Sequence, residues 1–179
     1  VVLEYLKPSR GGPSAALLDE EALLLSELAL LDARIRVEQR PASLCDDAPQ
    51  IRIGGRAQGR IRYLGAPAGY EFASLVDGIV AASSGATRLQ PATGDSLRAL
   101  GRDVHVQVFV TPTCPFCPGV ADLAQQMAIV SPRVRADIVA ADEFPDLADR
   151  FGVSGVPCVV IAGERAFVGA RSEAVFLAH

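Results

Sequence analysis

A pattern recurring at a fixed offset limits this chain more than any other feature. Pro49-Gln50-Ile51-Arg52-Ile53-Gly54-Gly55 and Pro157-Cys158-Val159-Val160-Ile161-Ala162-Gly163 share P-x-x-x-I-x-G, with all three shared residues offset by 108. Tyr5 pairs with Phe109, and Gly65 with Gly169, at an offset of 104. The matches fall at equivalent places in two equivalent orders of elements. In the first half, Val1 to Leu6 reads as a strand, and Leu17, Leu24, Leu28 and Leu31 stripe a helix from Ala15 to Asp32. Arg34 to Gln39 is a second strand. Ile51 and Ile53 then lie on a strand that turns at Gly54-Gly55 into Arg60 to Leu64, before a helix striped by Phe72, Leu75, Val76, Ile79 and Val80. The second half runs from a strand at Val104–Val110, through a helix after Cys114, to a strand at Val134–Val139 and a short helix at Pro145–Phe151. It ends in a hairpin from Cys158 to Val168 and the start of a C-terminal helix. Two β-α-β plus β-β-α units make this an α/β chain of tandem construction. Ser83 to Thr87 and Pro91 to Gly94 read as a linker, with a turn or two of helix added by Asp95 to Leu100. The units are therefore 1–90 and 91–179.

The chemistry concentrates at Cys114-Pro115-Phe116-Cys117, where the strand Val104–Val110 hands over to a helix carrying Val120, Leu123, Ala124, Met127 and Val130 at helical spacing. Two cysteines three apart on a first helical turn put their sulfurs on one side, within reach of a disulfide. The unpaired N–H groups and positive end of the helix dipole favour a thiolate there. Cys114 is the candidate nucleophile, and Cys117 the partner that resolves it.

At 179 residues, 50% of them apolar, the chain is long enough to bury one large core or two small ones. A net charge of −4 leaves no basic stripe for nucleic acid or an anionic membrane surface. No apolar run approaches the roughly 20 residues that span a bilayer. Four cysteines are too few for a secreted disulfide framework. A CxxC at a strand–helix junction points to redox work in a reducing, cytoplasmic compartment. Structural zinc needs four ligands, and outside the pair only Cys45, Cys158, His105 and His179 are on offer, with no second close set. A metal- or cluster-binding scaffold is the rival from another class. Gly54-Gly55 is a hairpin turn and not a phosphate cradle, because no helix opening with Lys-Ser/Thr follows. Asp142-Glu143-Phe144-Pro145-Asp146 reads as the capped start of a short helix. His105 takes no role, and Cys45 reads as a free thiol without function.

With a CxxC at the first helix and Val-Pro opening the hairpin, the sequence resembles the thioredoxin superfamily, and its tandem form resembles the two-domain, glutaredoxin-like protein disulfide oxidoreductases. Val106-Gln-Val-Phe-Val-Thr-Pro-Thr-Cys-Pro-Phe-Cys-Pro118 carries the nearest likeness, supported by Ile61-Arg-Tyr-Leu-Gly-Ala-Pro-Ala-Gly-Tyr-Glu-Phe72. It is also similar to the N-terminal module of the flavoprotein reductases that serve bacterial peroxiredoxins. The resemblance implies that Cys114 attacks, Cys117 resolves, and Pro157 is a cis-proline facing them, with Ala48-Pro49 its counterpart. Pro115, Phe116, Val156 and Pro157 would then line the substrate site, the Val156 backbone pairing with a bound peptide. It further implies protein or small-molecule disulfides as substrates, no cofactor, and as a possible partner a thioredoxin-reductase-like flavoprotein, the chain relaying electrons to a peroxidase.

The first half departs from the pattern. Aligning Tyr5 with Phe109 sets Arg10 opposite Cys114 and Pro13 opposite Cys117, so this half has no redox pair. Its role is then to orient or extend the binding surface, or only to stabilise. The buried carboxylate of many thioredoxins would lie six residues before the first cysteine, where this chain has Val108 beside Gln107, so proton transfer needs another group or water. Cys158, directly after Pro157, is a possible third thiol within a few ångströms of the pair. The apolar run Val159-Val160-Ile161 marks a strand covered on both faces and favours a structural, inert Cys158.

Overall fold

A computed structural model describes residues 1–7, 15–41 and 50–179 of the chain. Arg10, Pro13, Cys45 and the Ala48-Pro49 bond lie outside the described residues. In chain order the elements are β1 (Val2–Lys7), α1 (Ala15–Leu31), β2 (Arg36–Pro41), β3 (Gln50–Ile53), β4 (Ile61–Leu64), α2 (Glu71–Ser84) and α3 (Pro91–Arg98). There follow β5 (Val104–Val110), α4 (Cys117–Val130), β6 (Val134–Ala140), α5 (Pro145–Arg150), β7 (Cys158–Ile161), β8 (Glu164–Val168) and α6 (Glu173–Leu177).

These eight strands form one sheet in the order β2-β1-β3-β4-β6-β5-β7-β8. Each half contributes the same sub-order, a parallel pair followed by an antiparallel hairpin, and β4 pairs in parallel with β6 to join them. The period-2 pleat sends alternate residues to opposite faces. Val106, Val108 and Val110 of β5 and Ala136 and Ile138 of β6 face a core that runs through both halves. That core is closed by Leu25 and Leu28 of α1, Leu75 and Ile79 of α2, Leu97 of α3, and the apolar stripe of α4, with Phe176 of α6. The opposite face carries a smaller cluster of Phe109, Val139, Ala148, Cys158 and Val160, with Ala148 supplied by α5.

Three expectations change. Pro91 to Gly94, read as linker, are the first turn of α3, because proline at the first helical position sacrifices only an N–H that has no partner there. Of the residues read as linker only Gly85, Ala86 and Thr87 lie between helices, α2 running to Ser84 and closing on Gly85 at φ +74°. At α5 the residue before the helix is Phe144, with no side-chain cap, and Pro145 begins it. Glu143 turns away instead and accepts a hydrogen bond from the Ala66 backbone N–H at 2.9 Å.

Candidate redox site

Strand β5 ends at Val110, and the turn Thr111–Phe116 leads into α4, whose first residue is Cys117. Cys114 therefore sits just ahead of the helix rather than on its first turn, with its N–H bonded to the Thr111 carbonyl at 3.1 Å. The two cysteines form a disulfide across a Cα separation of 5.5 Å. Their burial is unequal: Cys114 is 7% exposed and Cys117 is 0% exposed. Between them Phe116 stands 67% exposed, an aromatic ring open to solvent beside the disulfide.

The strand opposite completes the mouth of the site. Phe109 of β5 is in register with Cys158 of β7, so Pro157 comes up beside Val110, at the strand end that leads to the cysteines. The Val156–Pro157 bond is cis, and the Pro157 carbonyl accepts from the Gly169 N–H at 2.8 Å. Val156 is half-buried, packed against both apolar clusters.

Cys158 is free and fully buried. Its side chain belongs with Phe109, Val139, Ala148 and Val160, whereas Cys114 and Cys117 belong with Val159 and Ile161 on the other face. The pleat of β7 thus puts the sheet between the third thiol and the pair. Burial pushes the Cys158 thiol up, an effect only partly offset by the charge of Arg165. Among the described residues no group of three or more His, Cys, Asp and Glu side chains is arranged to hold a metal ion.

Val108 is buried in the core, as its side chain requires, and carries no proton. A carboxylate does enter this region, from the first half. Glu71, in the opening turn of α2, is 2% exposed, and burial raises its pKa against a lowering hydrogen bond from Ser74. Its Oε2 accepts from Ser74 Oγ at 2.8 Å, while Oε1 has no hydrogen-bond partner among the described residues. Behind it Ser74 Oγ meets the Tyr63 hydroxyl at 2.8 Å, and Gln125 Nε2 of α4 donates to that hydroxyl at 3.1 Å. One wiring satisfies the chain: amide to phenol, phenol to serine, serine to carboxylate. The neighbouring Tyr70 N–H donates to the Pro112 carbonyl at 3.0 Å, two residues before Cys114. Sequence reasoning missed Glu71 because an acidic residue at a helix start ordinarily reads as dipole compensation on a solvated surface.

His105 is also better connected than its isolation in the sequence suggests. Its Nδ1 accepts from the Arg135 guanidinium at 2.9 Å, so its ring proton sits on Nε2 and goes to Asp137 Oδ2 at 2.7 Å. Asp137, 1% exposed, is also bridged by Arg62 across the β4–β6 seam. Burial alone would raise its pKa, but the bonds from His105 and Arg62 prevail and hold it below the usual carboxylate range.

Comparison with known proteins agrees with this geometry. Residues 104–179 match the family described as Thioredoxin domain. The N-terminal domain of the alkylhydroperoxide reductase AhpF from Enterococcus faecalis superposes with a TM-score of 0.84 at 25% identity, over 98% of this chain and 89% of that one. A protein disulfide oxidoreductase from Aeropyrum pernix gives 0.85 at 27% identity, over 99% of this chain and 82% of that one. Among curated relatives, an alkyl hydroperoxide reductase from Staphylococcus epidermidis is 26% identical over 79% of this chain but 27% of its own length. An NADH dehydrogenase from Ferdinandcohnia aciditolerans is 26% identical over 89% of this chain and 30% of its own. The chain thus spans less than a third of the length of those relatives. Strand β5 through helix α6 is a thioredoxin-fold domain, joined through one sheet to a second unit of the same strand order.

Proposed function

We propose that this chain is a thiol-disulfide oxidoreductase acting on protein or small-molecule disulfides through Cys114 and Cys117. The observation that carries the reading is a disulfide at the head of α4 whose Cys114 is the more accessible half, beside the cis-Pro157 turn. In the reduced protein the Cys114 thiolate attacks a substrate sulfur, forming a mixed disulfide and expelling the other substrate sulfur as a thiolate. The Cys117 thiol then gives up its proton and attacks Cys114, closing the internal disulfide and releasing the second substrate thiolate. The substrate gains two electrons, which an external dithiol must return to the protein. Glu71, which lines a small hollow with Val110 and has no partner for Oε1 among the described residues, is the group proposed to take the Cys117 proton.

Reduction of insulin with dithiothreitol as electron source tests the reading. Wild type accelerates it, Cys114→Ser abolishes the acceleration, and Cys117→Ser accumulates mixed disulfides visible by mass spectrometry. Glu71→Gln still forms the mixed disulfide but resolves it about 10²-fold or more slowly, in the range of a lost general base. Substantial activity in Cys114→Ser would sink the assignment of the nucleophile.

The match to N-terminal parts of much longer reductases favours a second reading, a relay module passing electrons from a flavoprotein to a peroxidase in the cytoplasm. Supplied with the flavoprotein part of such a reductase, NADH and a peroxiredoxin, the chain then restores peroxide turnover. No turnover with active components removes this reading and leaves the first.

A further inference from the structure

A loop of the half without a redox pair reaches the turn that leads to the cysteines. Gly69, at φ +59°, approaches Pro112 so closely that a Cβ there would stand 2.3 Å from the Pro112 oxygen, a contact only glycine allows. The Tyr70 N–H then bonds to that same oxygen. Two backbones are thus joined at a point two residues from Cys114, and the first half is fixed against the redox turn.

What the loop carries there is apolar and open. Tyr70 is 54% exposed and Phe72 37%, and the other exposed aromatic among the described residues, Phe116, lies between the cysteines. Around Phe72 and the preceding loop, Leu24, Ala66, Pro67, Ala68 and Gly69 line a cavity of about 300 Å³, with Glu21 in its wall held by the Tyr5 hydroxyl at 2.9 Å. An apolar hollow of that volume takes one large side chain. A small disulfide can meet Cys114 without touching it. A polypeptide held at its cysteine carries residues on both sides of it at about 3.3 Å per extended residue, so its neighbours reach the surface around the redox turn, where the Tyr70 loop is bonded to Pro112.

Resting on the oxidoreductase reading, we infer that the first half supplies a side-chain pocket for polypeptide substrates, in which loop Ala66–Phe72 takes an apolar residue flanking the substrate's cysteine. The occupant follows from continuity with the disulfide: whatever lies over this loop is the chain whose sulfur is bonded to Cys114. The first half thereby selects proteins with apolar residues beside the disulfide, while the second performs the exchange.

The test uses two disulfide-linked peptide dimers of Gly and Ser around one Cys, one with Phe two positions to either side of the Cys, the other with Gly there. The full chain reduces the Phe peptide with kcat/KM about tenfold or more above the Gly peptide, the size expected for one apolar side chain entering a pocket. Ala68→Trp, which fills the cavity, and Tyr70→Ser bring the ratio close to one, and Tyr70→Phe keeps it. Equal kcat/KM for the two peptides in wild type overturns the inference, as does a preference surviving in both Ala68→Trp and Tyr70→Ser with native thermal unfolding. The wild-type ratio is decisive even where a variant fails to fold. If wild type reduces neither peptide, the oxidoreductase reading itself has failed.

Discussion

Cys158 shows how much one strand's pleat decides. In sequence it follows Pro157 directly, which predicts a thiol close to Cys114 and Cys117, yet alternation along β7 turns it to the α5 side of the sheet. The run Cys158 to Ile161 is readable as a strand covered on both faces, and all four residues are buried. Which parity meets the cysteines is not readable, because that depends on the register Phe109↔Cys158. Cys158→Ser or Cys158→Thr is expected to fold and keep most disulfide reductase activity. Mass spectrometry of mildly oxidised protein is expected to find Cys114–Cys117 and no bond from either to Cys158. At the same scale Glu21 sets a pH dependence. Burial raises its carboxyl from 4.5 to about 7, against a lowering bond from Tyr5 and with a further rise from Glu143. The fold favours its protonated form, so this contribution is complete below about pH 4.5, the unfolded value, and is lost as pH rises through about 7. The loss is on the order of 3 kcal/mol at most. Glu21→Gln is expected to flatten stability between about pH 5 and pH 8, read from urea midpoints. An equal slope in variant and wild type would assign that pH dependence elsewhere.

At the scale of elements, the strands and long helices are legible because their apolar periods are clean: β5 and β6 differ from expectation by at most a residue. The redox turn is legible for the same reason, lying between two strong patterns. What sequence does not supply is the partner of Asp137. The residue lies between Ala136 and Ile138 in β6, and the β4–β6 register, Arg62↔Asp137, together with His105 of β5, shows why a charge is tolerated there. That pair also fixes the two halves in register. Arg62→Leu removes one partner and leaves the buried carboxylate to His105 and, at 3.8 Å, Arg135, so a loss on the order of 3 kcal/mol is expected. Asp137→Asn combined with Arg62→Leu is expected to lose less than the single change, since the uncompensated charge is gone. Chemical denaturation of the single and double variants checks this, and additive losses would show that the two residues act independently.

At the scale of the whole sheet, one strand order is laid down twice. Its seam joins the last strand of one half, β4, to the outer strand of the next, β6, and the same two positions recur at the rims of the described sheet as β8 and β2. An identical join between molecules would set β8 of one chain against β2 of another. That contact is head-to-tail, and wherever its rotation does not close a ring it grows into a filament. The rims are built against this. β2 carries Arg36, Glu38 and Arg40 with Pro41 at its end, and Arg40 pairs with Glu38 at 2.7 Å, while β8 opens with Glu164 and Arg165. Charge and proline are common guards of exposed strand edges. Replacing Arg36, Glu38 and Arg40 together by Thr or Val is expected to give concentration-dependent fibrils, seen by light scattering and electron microscopy, in a chain that still binds its substrate. A duplicated fold of this kind thus carries at its rims the two strands of its own internal join, and the charges and proline there oppose repeating that join between molecules.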